Sequence, residues 1–175
     1  MEVTDLLQYV CMTRETKIDR SIKATARIID IENLCGGSGN VVEHHSKVRN
    51  IVSRNSGAGK MFTVVAAGVL SVKLCPDLLW DWQRNRFLIG HGVNGADNEL
   101  IGVLNEPQIR RSSEIEIWSG DHCFTDATRT LVRLGLTVHV FSRPCALAES
   151  LRSVATRVTL LTELSVVNTG QFAMA

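Results

Sequence analysis

Short apolar runs recur along this chain, separated by segments in which apolar positions return every three or four residues. The first run lies in 26–31, "ARIIDI", where consecutive positions are apolar, as in a strand buried on both faces. Val48, Ile51 and Val52 then share one face of a predicted helix over 46–54. "MFTVVAAGVL" (61–70) predicts a second strand, and Pro76 opens a predicted helix over 76–84 with Trp80 turned inward. "RFLIGH" (86–91) predicts a third strand, followed by a helix over 96–104 that Pro107 ends.

The second half repeats the pattern with clearer punctuation. Strand "EIEIW" (114–118) leads to a helix over 125–134 closed by Gly135, then strand "TVHVFS" (137–142), a helix over 146–155 and a last strand "RVTLL" (157–161). Strands alternating with helices indicate an α/β domain of three layers, α/β/α, around a mainly parallel sheet of six strands with five helices. The domain is expected over 24–164, with 1–23 as an N-terminal extension and 165–175 as a tail.

At 175 residues the chain suits one domain of ordinary size. An apolar content of 45% and a charged content of 21% exclude a disordered or fibrous class. The net charge of +1 gives no whole-molecule field toward nucleic acid and leaves a local basic face open. Five widely spaced cysteines form no Cys-x-x-Cys pair, which argues against a zinc knuckle and for a reducing setting. Glu2 and Asp5 precede a short apolar patch, the wrong charge order for a secretory signal, and no window approaches the ~18 apolar residues of a membrane span. The expectation is a cytoplasmic protein with no membrane partner; whether it forms a homo-oligomer is left open.

In parallel sheets, ligands gather beyond the carboxyl ends of the strands where the strand order reverses. The first strand is followed there by Asp30, Glu32 and Asn33, the third by Asn94 and Asp97, the fourth by Ser119, Asp121 and Asp126, and the fifth by Ser142 and Arg143. Two carboxylates about 4 Å apart repel by on the order of 4 kcal/mol at an effective dielectric of 20. A divalent cation relieves that repulsion, and hard carboxylate oxygens suit Mg²⁺ or Mn²⁺ better than zinc. Such an ion can orient a phosphodiester and lower the pKa of water, which points to phosphate-ester hydrolysis.

Each acid also has a plainer reading. Asp121 can cap a helix starting near Phe124, and Asp97 and Asp126 can be first-turn acids favoured by the helix dipole. Asp30 is harder to explain that way, because it interrupts a strand that should be buried.

Taken together, "IIDIENLCGG", "GVNGADNEL" and "EIEIWSGDHCFTDATRTLVRLGLTVHVFSRP" resemble the NYN domain family of PIN-like nucleases, over roughly 24–164. The resemblance implies a PIN-like parallel sheet with helices on both faces, an acidic pocket for Mg²⁺ or Mn²⁺, and RNA as the substrate cleaved there. It assigns Asp30, Asp97 and Asp121 as catalytic metal ligands, Asn33 as a pocket-shaping residue and Ser119 as the hydroxyl that steadies the fourth-strand loop. Many relatives read Ser-Gly-Asp-x-Asp-Phe, whereas Cys123 stands here in place of the second acid, removing one potential ligand that Asp126 would in part replace. The alternative function is therefore a catalytically impaired RNA- or nucleotide-binding module.

"SRNSGAGKMF" fails the phosphate-loop spacing, since Arg54 stands where the first glycine belongs and Met61 where Ser or Thr belongs. His44, His45, His91 and His122 lack metal-ligand spacing, although His91 and His122 sit at strand ends. Arg143, following the fifth strand, is the best placed cation for a substrate phosphate, whereas Arg84, Arg86, Arg110 and Arg111 read as solvated surface. Trp80, Trp82 and Trp118 read as packing residues rather than base-stacking platforms. A flavodoxin-like receiver pocket would need adjacent acids after the first strand and a lysine after the last, and neither is present.

Overall fold

The structure, a computed structural model, describes residues 24–55 and 60–165. The expected extension over 1–23, the tail beyond Ser165 and most of the glycine-rich stretch before Lys60 lie outside the described residues.

Six strands form one sheet: β1 (Ala24–Asp30), β2 (Lys60–Gly68), β3 (Arg86–Gly90), β4 (Glu114–Trp118), β5 (Thr137–Ser142) and β6 (Arg157–Leu160). Their order is β3-β2-β1-β4-β5-β6 and every pairing is parallel. The chain steps outward from β1 to β3, returns to the middle at β4 and steps outward the other way. The strand order thus reverses between β1 and β4, where a crevice opens at the carboxyl ends.

Helices α1 (Ile31–Cys35), α2 (Val41–Arg54), α3 (Val69–Leu74) and α4 (Asp77–Asp81) belong to the first two crossovers. They cover one face of the sheet, where Leu34, Val48, Ile51, Val52 and Leu78 pack on Ile29, Val65, Ala67 and Trp118. The other face carries α5 (Gly95–Leu104), α6 (Pro107–Arg110), α7 (Thr125–Arg133) and α8 (Glu149–Val154). There Leu100, Val103, Leu104, Ile109, Leu131 and Leu151 pack on Ile28, Val64, Ile117 and Val140. The expected three-layer α/β/α architecture is the observed one.

One buried charge fixes α2 to the sheet. The Arg27 guanidinium pairs with Glu116 at 2.6 Å and donates to the carbonyls of Val52 (3.1 Å) and Asn55 (3.0 Å), closing the carboxyl end of that helix. Trp118 Nε1 donates to the same Glu116 carboxylate at 2.9 Å, so both ions of the buried pair are satisfied.

Several expectations need correction. Ile31 leaves the first strand to begin α1, Val69 and Leu70 belong to α3 rather than to β2, and α8 begins only at Glu149. Pro107 opens α6 instead of merely ending α5, as its fixed φ and missing N–H permit at a first helical position. Trp80 points outward, 71% exposed, because Leu78 and Trp82, one turn apart, take the inward face of α4. No helix among the described residues is long and apolar enough to cross a membrane.

Candidate metal centre

The β1–β4 register places Ile29 beside Trp118, so the next residues, Asp30 and Ser119, meet at the crevice. Asp30 is buried, and its side chain does two things at once. Oδ1 accepts from the Asn33 backbone N–H at 3.1 Å, capping α1, while Oδ2 accepts from Ser119 Oγ at 3.0 Å. Ser119 Oγ in turn accepts from the Asp121 N–H at 3.2 Å. Asn33 Oδ1 accepts from the Gly120 N–H at 3.0 Å, so the turn after β1 is tied directly to the turn after β4. Asn33 and Ser119 thus join the two turns.

Gly120 allows this closeness, since a Cβ there would fall well inside contact distance of Ser142 Oγ and the Ala146 carbonyl. Asp121 caps the 3-10 turn His122–Phe124 by accepting from the Cys123 N–H at 2.8 Å. Its Oδ1 also lies 2.9 Å from His122 Nδ1, on an exposed imidazole.

Asp97 arrives from the opposite side. The turn after β3 holds Asn94 in the left-handed conformation at φ 53° and starts α5 against the strand end. A Cβ on Gly95 would lie 2.7 Å from the Gly90 carbonyl carbon, and one on Gly90 would collide with the Ala96 nitrogen. This backbone contact aims the first turn of α5, and Asp97 within it, at the cleft that Asp30 lines.

The resulting cleft, about 240 Å³, is lined by Asp30, Glu32, Asn33, Gly37, Ser38, Asp97, Asp121 and Arg143. Burial pushes the Asp30 carboxyl up to about 7, and the neighbouring Asp97 charge adds to the rise. Burial also raises Asp97, and the Asp121 charge raises it further. Oxygens of Asp97 and Asp121 and the sulfur of Cys123 lie within 4.8 Å of one another. Burial, followed by the charges of Asp97 and Asp121, holds the Cys123 thiol far above the ordinary thiol range.

Arg143 is half-buried at the cleft wall. Its Nε donates to the Asn33 carbonyl at 2.8 Å, and its guanidinium stands against Gly36, where a Cβ would lie 3.1 Å from Nη1. Gly36 ends α1 at φ 90°, in the left-handed region that glycine tolerates best.

Two placements differ from the sequence reading. Asp126 is not brought to the cleft: it is exposed and ion-paired with Arg129 on the same helix, as a first-turn acid would be. Glu32, which sequence reasoning placed after the first strand without assigning it a role, lines the cleft. It accepts from the Gly68 N–H at 3.0 Å and from Ser71 Oγ, joining the turn after β1 to the start of α3. His91 is exposed and does not line the cleft.

No protein-family model matches the chain, and no curated protein matches it at a significant level. A crystal structure of a protein of unknown function from Vibrio parahaemolyticus is similar in fold. Its TM-score is 0.59 at 12% sequence identity, covering 83% of this chain and 96% of that one. The likeness bears on the fold alone.

The donor set can be tested against the ions expected. The Asp97 and Asp121 carboxylates suit Mg²⁺ or Mn²⁺, and Asp30 lines the same cleft. The nearby sulfur is no ligand for Mg²⁺. The cleft therefore fits a divalent ion through its oxygens, and the Cys123 sulfur lies near two of them without lining the cleft.

Proposed function

We propose that the protein is a metal-dependent ribonuclease of NYN and PIN-like type, hydrolysing RNA phosphodiester bonds with a water activated in the acidic cleft. The observation that carries this reading is the convergence of Asp30, Asp97 and Asp121 from three separate strand ends onto one cleft, with Arg143 on its wall. Four acids, including Glu32, around a single arginine attract a divalent cation, and the arginine supplies a grip for a phosphate. A bound Mg²⁺ or Mn²⁺ would supply Lewis-acid polarisation of the phosphate and a lowered pKa for water.

Each residue then has a definable part. Asp97 and Asp121 would offer oxygens to the ion, and Asp30, whose proton burial favours, would lose it beside a bound cation. Ser119 and Asn33 keep the two turns in register, and Arg143, braced by the Asn33 carbonyl, orients the phosphate. The four described cysteines, Cys35, Cys75, Cys123 and Cys145, are free, which supports a cytoplasmic setting.

Purified protein given labelled single-stranded RNA and Mn²⁺ is expected to cleave it, and Asp121→Asn to cleave about 100-fold more slowly. Equal behaviour of the two proteins removes the nuclease assignment. RNA binding retained by a native protein that does not cleave would favour the impaired binding module, a reading that rests on Cys123 in place of an acid. Arg143→Lys keeps the charge but loses the fork that reaches the Asn33 carbonyl. It should weaken RNA binding by about 3- to 10-fold in a filter-binding titration while leaving metal affinity unchanged.

A further inference from the structure

A larger cavity lies at the other end of the sheet from the acidic cleft. It holds about 470 Å³ and is lined by Ala24, Thr25, Met61, Phe62, Gln108 and Ser112, at the amino ends of β1 and β2 and around α6. None of the six carries a charge, so nothing on the wall selects a phosphate, a metal ion or an ionised ligand. Phe62 is 37% exposed there, although Val64 and Ala66, the next residues on the same face of β2, are fully buried.

Met61 and Phe62 also belong to a stretch of open strand edge. β2 begins at Lys60, but its pairing with β3 begins only at Val64, opposite Arg86. Among the described residues the first four positions of β2 therefore have a neighbouring strand, β1, on one side alone. Such an edge presents backbone N–H and C=O groups at a spacing that an extended peptide matches and a compact apolar ligand does not.

The segment that leads into β1 arrives at the groove itself, since Ala24 is part of the wall. Within 1–23 the apolar side chains are concentrated in 6–12, as Leu6, Leu7, Tyr9, Val10, Cys11 and Met12. Residues 13–23 tether that patch to the wall and span at most about 40 Å. A patch tethered so closely has an effective concentration on the order of millimolar at the groove, which a free occupant would have to exceed. We propose that residues 6–12 of the same chain fill this groove, packing on Met61 and Phe62 and pairing with the open edge of β2. The proposal concerns the end of the sheet remote from the acids and does not depend on the nuclease reading.

Cys11 supplies a probe within the patch. In a Cys145→Ser background, which removes an exposed thiol, Met61→Cys and Gln108→Cys each place a thiol on the groove wall. Lys47→Cys, at an exposed position of α2, is the comparison. A disulfide needs the two Cα atoms within about 7 Å, so its formation reports a docked patch. Under copper–phenanthroline oxidation of dilute full-length protein, either wall variant should join to Cys11 within one chain at least about tenfold faster than the Lys47→Cys variant, as read by mass spectrometry of tryptic peptides. Gln108→Cys carries the test if Met61→Cys disturbs the sheet. Leu7→Asp, which lies outside the described domain, should slow the wall cross-link at least about tenfold by charging the patch. Equal rates at the wall and at Lys47→Cys, or rates indifferent to Leu7→Asp, overturn the proposal. A cross-link between two chains that rises with protein concentration also overturns it, because the occupant is then a second copy's segment.

Discussion

Asp30→Asn should make the metal-free protein more stable at pH 8 and, at the same time, abolish cleavage. Unfolded, this carboxyl ionises near 3.8, while in the folded chain burial holds its proton up to about 7. Between those values the native state binds one proton more than the unfolded state, so stability falls as pH rises. The stabilising protonated state is complete below the unfolded value, and it is lost as the pH climbs through 7. At about 1.4 kcal/mol per unit, the loss is on the order of 4 kcal/mol across the window.

An asparagine at position 30 keeps the Asn33 bond through its oxygen and offers an N–H to Ser119 Oγ, without a charge to bury. Denaturant melts of the two proteins should therefore coincide near pH 4 and separate steadily, with the variant a few kcal/mol ahead by pH 8. Mn²⁺ at saturating concentration should restore the native chain at pH 8, where cation binding relieves the buried charge. Cleavage by the variant should fall about 1000-fold, since the deepest carboxyl of the cleft is gone. Parallel stability curves for the two proteins between pH 4 and 8 would show that Asp30 ionises freely and that the cleft does not confine its charge.

That residue also shows where the sequence was legible. An acid inside an apolar run is costly unless something answers it, and the strand-end rule places Asp30, Asp97 and Asp121 on one rim from the sequence alone. The stretch from β4 through β5 was readable because each strand is bounded by glycine or serine turns and α7 has a clean apolar stripe closed by Gly135. For Asp30 and Asp121, capping and lining the cleft are not alternatives. Asp30 and Asp121 cap their helical turns with the same carboxyls that line the cleft, because the crevice is built from helix beginnings.

What escaped the sequence depended on partners far along the chain or on phase within short elements. Glu32 has a role only through Gly68 and Ser71, which lie 36 and 39 residues away. The helix over Val69–Leu74 continues an unbroken apolar run from β2, and such a run has no period to separate strand from helix. In the five-residue α4, a shift of two positions decides between Trp80 and Trp82 as the buried ring, and flanking sequence does not fix that phase. Asp126 was offered as a ligand from its nearness in sequence to Asp121. The helix beginning at Thr125 instead turns it toward solvent and Arg129.

Gly90→Ala should cost more than any other single methyl added to a glycine of α5 or its approach. The methyl would enter the backbone of Gly95 and Ala96, where no side-chain rotation can make room, so either the end of β3 or the first turn of α5 must move. Gly90 pairs in register with Gly68, whose N–H binds Glu32, so displacement of β3 is resisted from the sheet side. The first turn of α5 then yields, carrying Asp97 away from Asp30 and Asp121. Expected are a loss of about 3 kcal/mol or more in denaturant unfolding and at least a tenfold loss of divalent-ion affinity in the protein that remains folded. Gly102→Ala, in the same helix with open space around its Cβ position, is the matched comparison. It should raise stability by about 0.5–1 kcal/mol and leave ion affinity alone, because it removes only the backbone freedom of an interior helical glycine. If the two variants lose stability alike, helix α5 tolerates no substitution for reasons other than the Gly90–Gly95 contact. If Gly90→Ala binds Mn²⁺ like the native chain, that contact does not aim Asp97.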